Sequence, residues 1–245
     1  APEGGKIAKM MNYASFTTTA LAAAATVKDI DVIFTPSPPL TLGIVDYAMS
    51  RLKHIPFVYN LQDLFPEAAV RLGVMSNPKL IGGFEALERF VYRKANHLSV
   101  ISEGFKTHLL ERDVPTEKIS VIPNYTDTDF IQPVARNRNS LRKKHKLDGR
   151  FVVQFSGRMG YSQGLETVLD AWKQLADLED LRIMMVGDGQ ARSMVDEALG
   201  NDPKAILLPT QDRAILPTLL STADVGLAPL RHGMAGTSVP SKIFG

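Results

Sequence analysis

A chain of 245 residues, 44% apolar and 22% charged, has the composition of a folded protein with room for one large domain or two smaller ones, which excludes general disorder. A net charge of +2 gives no reason to expect nucleic acid as a partner. The absence of cysteine removes disulfides, thiolate metal sites and cysteine nucleophiles, and fits a cytoplasmic protein.

The pattern opens on an Ala/Thr-rich stretch, 12–27, that reads as a helix and is too short to span a bilayer, which takes about 20 apolar residues. An apolar run at 31–35 reads as a buried strand, 40–53 as a helix and 56–60 as a second strand. Just past that strand, Asp63 and Glu67 stand about one helical turn apart. A helix at 79–95, a strand at 97–101, a helix at 104–112 and a strand at 119–123 complete a first unit. Leu80, Phe84, Leu87 and Val91 fall on one face of the 79–95 helix, a spacing that favours core over membrane contact. The polar stretch that follows carries a short helix, 140–146. Between Arg136 and Arg150 it holds seven basic residues against the single acid Asp148, so it reads as a solvated basic linker, 136–149. A second unit alternates strand 151–156, helix 164–175, strand 181–186, helix 191–199, strand 205–208, helix 213–222 and strand 224–229.

Strand–helix alternation of this kind predicts an α/β protein with two parallel sheets covered by helices on both faces. The division expected is a first domain at 1–135, the linker, and a second domain at 150–245. The first unit opens on a helix rather than a strand, and the second stops inside the first turn of a helix, so both are expected to be incomplete.

Ligands of open parallel sheets bind beyond the carboxyl ends of the strands. After 151–156 comes Gly157-Arg158-Met-Gly160-Tyr-Ser-Gln163-Gly164 and then a helix. Glycines let backbone N–H groups approach a ligand, a helix N-terminus favours an anion, and Arg158 adds a charged fork. A diphosphate cradle and a tight strand–helix turn without ligand both satisfy this pattern. After 181–186, Gly187-Asp188-Gly189 is half of a dinucleotide fingerprint. Arg192 replaces the third glycine and no acid ends the next strand, which weighs against a nicotinamide. After 224–229, a loop from Arg231 to Lys242 carries Gly236, Thr237 and Ser238, a composition suited to a phosphate or a sugar. Asp63 reads either as a helix N-cap or as a carboxylate facing a cleft, and Ser102 as an N-cap. A hydrolase using Asp63 and Glu67 has no further support. The five histidines show no ligand spacing, so no metal is expected.

Eight phrases together are more specific than any one. Pro36-Ser-Pro-Pro39, Gln62-Asp-Leu-Phe-Pro-Glu67, Ser102-Glu103, Val121-Ile-Pro-Asn124 with Asp127, Ser156-Gly-Arg158, Val186-Gly-Asp-Gly189, Ala223-Asp-Val225 and Val239-Pro-Ser-Lys242 occur in the order seen in family 4 glycosyltransferases. The chain most resembles the WbuB-like branch that builds bacterial surface polysaccharides. The resemblance covers nearly the whole chain. It implies the GT-B architecture: two Rossmann-like domains facing across a cleft, the second for a nucleotide-diphosphate sugar and the first for the acceptor. It also implies transfer of a hexosyl or N-acetylhexosaminyl group with retention, without metal or cofactor, to a saccharide or lipid-linked acceptor. Peripheral contact with the inner face of the membrane would accompany a lipid-linked acceptor.

Carried over by position, Asp63, Arg158 and Lys242 are the catalytic candidates. Arg158 with Gly157, Gly160, Gln163 and Gly164 matches the diphosphate site. Gly187, Asp188 and Gly189, with Thr210 in the 208–211 segment, line the nucleoside side. Gly236, Thr237 and Ser238 meet the phosphates and donor sugar, Asp63 faces that sugar, and Glu67 and Glu103 stand on the acceptor side. Two departures stand out. Many members carry a lysine where this chain has Gln163, and two glutamates where it has Thr237 and Gly245, the second of which holds the ribose. Lys242 is the candidate to replace the missing charge. The alternatives are a sugar-nucleotide epimerase on the same fold and a catalytically inactive nucleotide-binding fragment.

Overall fold

The computed structural model describes residues 6–175, 177–234 and 236–244. Its contacts divide the chain into two compact units. One runs to Pro123 and also takes in Gly236–Val239, and the other holds the remainder from Asn124 onward.

The first unit contains α1 (Lys6–Thr26), β1 (Ile33–Ser37), α2 (Leu42–Lys53), β2 (Phe57–Leu61), α3 (Glu67–Arg71), α4 (Pro78–Lys94), β3 (His97–Val100), α5 (Glu103–Leu110) and β4 (Ile119–Val121). The strands pair in parallel in the order β1-β2-β3-β4. Parallel crossovers are right-handed, so strands laid down in sequence place every connecting helix on the same face. The core follows this rule. Phe57, Tyr59, Leu61, Leu98, Val100 and Ile119 point one way and join Val91, Tyr92, Phe105 and Leu109 of the helices in one apolar cluster. Val58, Asn60, His97 and Ser99 alternate to the other face and are absent from it, and Phe34 on that face is 61% exposed. The expectation of connecting helices on both faces is therefore corrected for this sheet. Phe84 and Leu87 of α4 pack against the cluster and Val91 is buried in it, whereas Leu80 at the start of the helix is exposed. Asn77 caps α4 by accepting from the N–H groups of Lys79 and Leu80, and Ser102 caps α5 by accepting from Phe105 N–H. Gly43 lets α2 cross α4, because a Cβ there would lie 2.4 Å from Val91 Cγ2.

The second unit contains α6 (Ser140–Lys144), β5 (Phe151–Ser156), α7 (Leu165–Gln174), β6 (Leu181–Val186), α8 (Arg192–Leu199), β7 (Ala205–Leu208), α9 (Leu216–Leu220), β8 (Val225–Leu227) and a closing 3-10 turn, Ser241–Phe244. The helix expected at 213–222 is split into a 3-10 turn, Arg213–Ile215, and α9. The strand order is β7-β6-β5-β8, all parallel. The order reverses at β5, so helices cover both faces. Phe155, Ile183 and Met185 pack with α7 and α8 on one side, and Val152, Met184 and Val186 with α6 and α9 on the other.

The basic stretch expected as a solvated linker belongs to this second core. Leu141 and Leu147 join its apolar cluster. Arg142 is 1% exposed, and donates to the carbonyls of Thr222 (2.7 Å), Leu147 (2.8 Å) and Arg150 (2.8 Å). Asp224 balances its charge from 3.5 Å, pairs also with Arg136, and accepts from Val152 N–H at 2.7 Å. A buried guanidinium is tolerated when its donors are satisfied in this way. Among the described residues no helix is long and apolar enough to cross a membrane.

Asp46 on α2 is less well matched. It is 4% exposed and borders an apolar cavity of about 190 Å3 lined by Val45, Met49 and Ile33. Its Oδ1 accepts from the Thr35 hydroxyl at 2.8 Å, and Oδ2 meets no donor among the described residues. Burial pushes the carboxyl from 3.8 up to about 6, against the opposing Thr35 hydrogen bond. The folded state thus keeps a proton that the unfolded chain has released, and stability falls as pH rises through that interval. Asp46→Asn should remove this loss. It is expected to add up to about 2–3 kcal/mol at neutral pH and nothing near pH 3, below the unfolded-state pKa, as read by urea denaturation of both forms at the two pH values. An equal change at both would contradict the assignment.

Candidate functional site

In the second unit the candidate residues gather where β5, β6 and β8 end. Gly157 N–H donates to Val186 O at 2.9 Å, and Met159 N–H to Asp188 O at 2.8 Å, so the loops after β5 and β6 are zipped together. A Cβ on Gly187 (φ +130°) would lie 1.9 Å from Gly157 O, and one on Gly189 (φ +143°) 2.5 Å from Met159 O. These two glycines are required by backbone meeting backbone. Gly164 (φ +59°) brings in a third loop, since its Cβ would lie 3.0 Å from the Arg231 backbone, and Arg231 N–H donates to Ser162 O at 2.9 Å.

Lys242 projects from the closing 3-10 turn into this convergence. Its Nζ donates to Gln163 Oε1 at 3.1 Å and lies 4.6 Å from the centre of the Phe155 ring. It is also 3.7 Å from the position a Cβ on Gly157 would take. Burial lowers its pKa, so the ammonium gains from any anion placed beside it. Gln163 thus holds, at the expected lysine position, a lysine borrowed from elsewhere in the chain. Gly164 starts α7 without any side-chain cap, which leaves the first N–H groups of the helix for a ligand or water. Arg158 is exposed on the same loop and makes no ion pair among the described residues. Gly160 is buried in it, and a Cβ there would meet the Ser162 hydroxyl at 3.8 Å.

Of the residues expected to line a nucleoside, Asp188 is exposed and its Oδ1 accepts from Gly189 N–H at 2.7 Å, while Thr210 is exposed beyond β7. Arg192, read from the sequence only as a missing glycine, has a task of its own. Its Nη1 donates to the carbonyls of Gly187 (2.8 Å) and Leu208 (2.9 Å), and its Nε pairs with Asp196 at 2.8 Å. It braces the turn after β6 against the end of β7. Gly245, the position expected to lack the ribose ligand, lies outside the described residues.

In the first unit, Asp63 sits just past β2. Burial raises its pKa, against a hydrogen bond with Ser238. Leu64 N–H donates to Thr237 O at 3.4 Å, and Thr237 is fully buried. Gly236 has open space where a side chain would go. Gln62 Nε2 donates to Asn60 Oδ1 (2.5 Å), and Asn60 Nδ2 to Ser99 Oγ (2.7 Å), a polar chain at the same end of β2 and β3. Glu103 is exposed in the first turn of α5. Glu67 is half-buried and engaged on both oxygens. Arg71 takes Oε1 at 2.5 Å, while His108 Nδ1 at 3.0 Å and Arg112 Nη2 at 3.6 Å take Oε2. Behind them Glu88, 1% exposed, accepts from Tyr92 OH at 2.8 Å and Arg112 Nε at 3.1 Å, with His108 Nε2 at 3.5 Å. Burial alone would raise its pKa, but the His108 and Tyr92 hydrogen bonds and the Arg112 charge together hold it below the ordinary value. This network was not foreseen from the sequence, where its members lie on three helices far apart in the chain.

Residues 4–125 match the family model described as a glycosyl transferase 4-like domain, and residues 150–243 the one described as glycosyl transferases group 1. Among curated proteins, the chain is 28% identical to a putative colanic acid biosynthesis glycosyl transferase, WcaI of Escherichia coli K12, over 80% of the chain and 49% of the relative. It is 28% identical to a probable glycosyltransferase, WbjE of Pseudomonas aeruginosa, over 87% of the chain and 54% of the relative. The chain therefore spans about half the length of the curated relatives it matches. Among solved structures, Anabaena HepE in complex with UDP superposes with a TM-score of 0.64 at 20% identity, over 88% of this chain and 56% of that one. The sucrose-phosphate synthase of Thermosynechococcus elongatus gives 0.67 at 19%, over 88% and 54%. The fold is that of the GT-B glycosyltransferases.

The zipped loops make a direct demand on side-chain size. Gly187→Ala drives a methyl into the Gly157 carbonyl and should destabilise the protein by more than about 2 kcal/mol. Gly160→Ala, in extended backbone with its nearest contact at 3.8 Å, should change stability by less than about 0.5 kcal/mol. Thermal denaturation of the two variants side by side tests this, and similar losses would refute it.

Proposed function

Because the chain belongs to the glycosyltransferases that pair a 4-like domain with a group 1 domain, we propose that it serves the transfer of a hexosyl or N-acetylhexosaminyl group from a nucleotide-diphosphate sugar, with retention of configuration, to a saccharide or lipid-linked acceptor. The observation that carries this reading is the Lys242–Gln163 contact at the glycine loop. It supplies a half-buried cation beside an uncapped helix N-terminus, with Arg158 on the same loop. The bond between a sugar C1 and a diphosphate breaks only if the leaving charge is stabilised, and preorganised dipoles and cations are the strongest means of doing so. In this proposal Arg158, Lys242 and the start of α7 bind that charge, so the reaction needs neither metal nor cofactor. Asp63 faces the transferred sugar, and the Gly187–Gly189 turn with Thr210 lines the nucleoside side.

The name of the Escherichia coli relative supports a place in surface polysaccharide synthesis, and the UDP and UDP-glucose complexes of HepE make UDP-sugars the first donors to test. A lipid-linked acceptor would bring the enzyme to the inner face of the membrane by peripheral contact.

Arg158→Ala and Lys242→Met, each made in the intact protein, should weaken UDP binding by roughly ten- to a hundredfold, the equivalent of about 1.5–3 kcal/mol for a charge-assisted phosphate contact. Adding Gln163→Lys to Lys242→Met should recover most of the affinity, because it returns an ammonium to the same place. Calorimetry with UDP and a transfer assay provide the readings. Unchanged binding and turnover in both single variants would overturn the proposed donor site, and failure of the double variant to recover would show that Lys242 does not stand in for a lysine at 163.

A further inference from the structure

Resting on the proposal that Asp63 belongs to the transfer site, we infer that Glu67 is a positioning residue that acts through Asp63. Four residues separate them, and the segment between runs from the end of β2 into α3. That helix has only five residues and none is buried. A single turn of helix is not stable by itself, and here no core contact of its own holds it. Leu64 is fully buried and Phe65 packs edge-on against Phe84 at 5.0 Å. Such apolar plugs fix depth without fixing rotation, because the hydrophobic effect is non-directional. Rotation is set by directional contacts: Asp63 bonds Ser238 and Leu64 N–H donates to Thr237 O on one side of the turn, and Glu67 supplies those on the helix side. Its Oε2 faces Arg112 Nη2 at 3.6 Å and His108 Nδ1 at 3.0 Å, and that ring nitrogen also meets Arg112 Nη1 at 3.1 Å; both residues are on or next to α5. Arg112 is in turn fixed by Glu88 of α4 at 3.1 Å. The chain of contacts therefore ties the Asp63 turn to two long-packed helices through one carboxylate.

The occupancy of that carboxylate also argues against an acceptor-binding role. Oε1 is taken by Arg71 and Oε2 by His108 and Arg112, so an incoming sugar hydroxyl would have to displace a charged partner. The network divides into two parts with different consequences. Glu88 keeps Arg112 and Tyr92 when Glu67 is lost, so removing Glu67 strands no buried charge. Removing Glu88 leaves Arg112 and His108 without their buried partner, which is costly.

The experiment uses the intact enzyme with Glu67→Ala, Glu67→Gln, Asp63→Asn, the double variant Glu67→Ala/Asp63→Asn, and Glu88→Gln. The readings are kcat, acceptor KM, nucleotide Kd and melting temperature. Glu67→Ala should lower kcat by roughly tenfold, in keeping with the cost of a small misplacement of a reacting group, with acceptor KM and nucleotide Kd within about twofold. Glu67→Gln, whose amide oxygen still accepts from Arg112, should recover part of that loss and serves as the reading if the alanine variant fails to fold. The double variant should be no slower than Asp63→Asn alone, because a residue acting through Asp63 has nothing left to position. Glu88→Gln should instead lower the melting temperature. Losses that multiply in the double variant, or a raised acceptor KM at unchanged kcat, would overturn the positioning role while leaving Asp63 in the site. A neutral Asp63→Asn would overturn the site reading itself, and this inference with it.

Discussion

Backbone meets backbone where β5 and β6 end, and the loop architecture of the second unit depends on that contact. Gly187 and Gly189 lie so close to the Gly157 and Met159 carbonyls that no side chain fits between. Two amide hydrogen bonds, Gly157 N–H to Val186 O and Met159 N–H to Asp188 O, seal the approach. The glycines of this region do less to admit a ligand than to lock two loops into one surface. Arg192 secures the same surface from behind through the Gly187 and Leu208 carbonyls. Flexibility of sequence thus becomes rigidity of structure, which the proposed role of holding charge in fixed positions would require.

Onto that surface the chain places a cation by an indirect route. A lysine directly in the glycine loop would need only its own rotamer to be in place. Lys242 arrives from a turn at the far end of the unit, crosses the ring of Phe155 and is caught by the amide oxygen of Gln163. A neutral hydrogen-bond acceptor orients an ammonium without neutralising it, whereas a carboxylate at 163 would have satisfied the charge and competed with any phosphate. Burial that depresses the lysine pKa works in the same direction, since a desolvated ammonium has more to gain from an anion.

All eight expected strands are present, with ends that shift by only one or two residues where they shift at all. Their Val, Ile and Phe content and the glycine or polar residues at their ends carry a strong local signal. The places of the two glycine loops, each just past the end of a strand, were legible for the same reason, but not that they meet backbone to backbone. What the sequence hid is long-range. The basic run at 136–149 looks solvated because charge usually is, and nothing local shows that the carbonyls of Leu147, Arg150 and Thr222 converge on Arg142. Helix α3 is too short for a period to show and follows Pro66 directly. The one-sided helical cover of the first sheet follows from strand order, which alternation alone does not specify.

Buried charge serves a common purpose in the two units, although it is met differently in each. Arg142 is satisfied almost wholly by backbone carbonyls, so it clamps a stretch of chain with little secondary structure of its own. Glu88 is satisfied by side chains on α4 and α5 and holds them in a fixed relation on which Glu67 can pull. Apolar packing would stabilise either place at lower desolvation cost, but it would not fix the direction in which a short segment points. Asp46 is the contrasting case. It is buried on a regular helix with one oxygen unmatched, its other oxygen accepts from Thr35 on β1, and burial raises its pKa to about 6. Where a segment must be aimed, as at Arg142 and Glu88, hydrogen-bonding partners offset the cost of burying the charge; at Asp46, where one oxygen is unmatched, ionisation at neutral pH only costs stability.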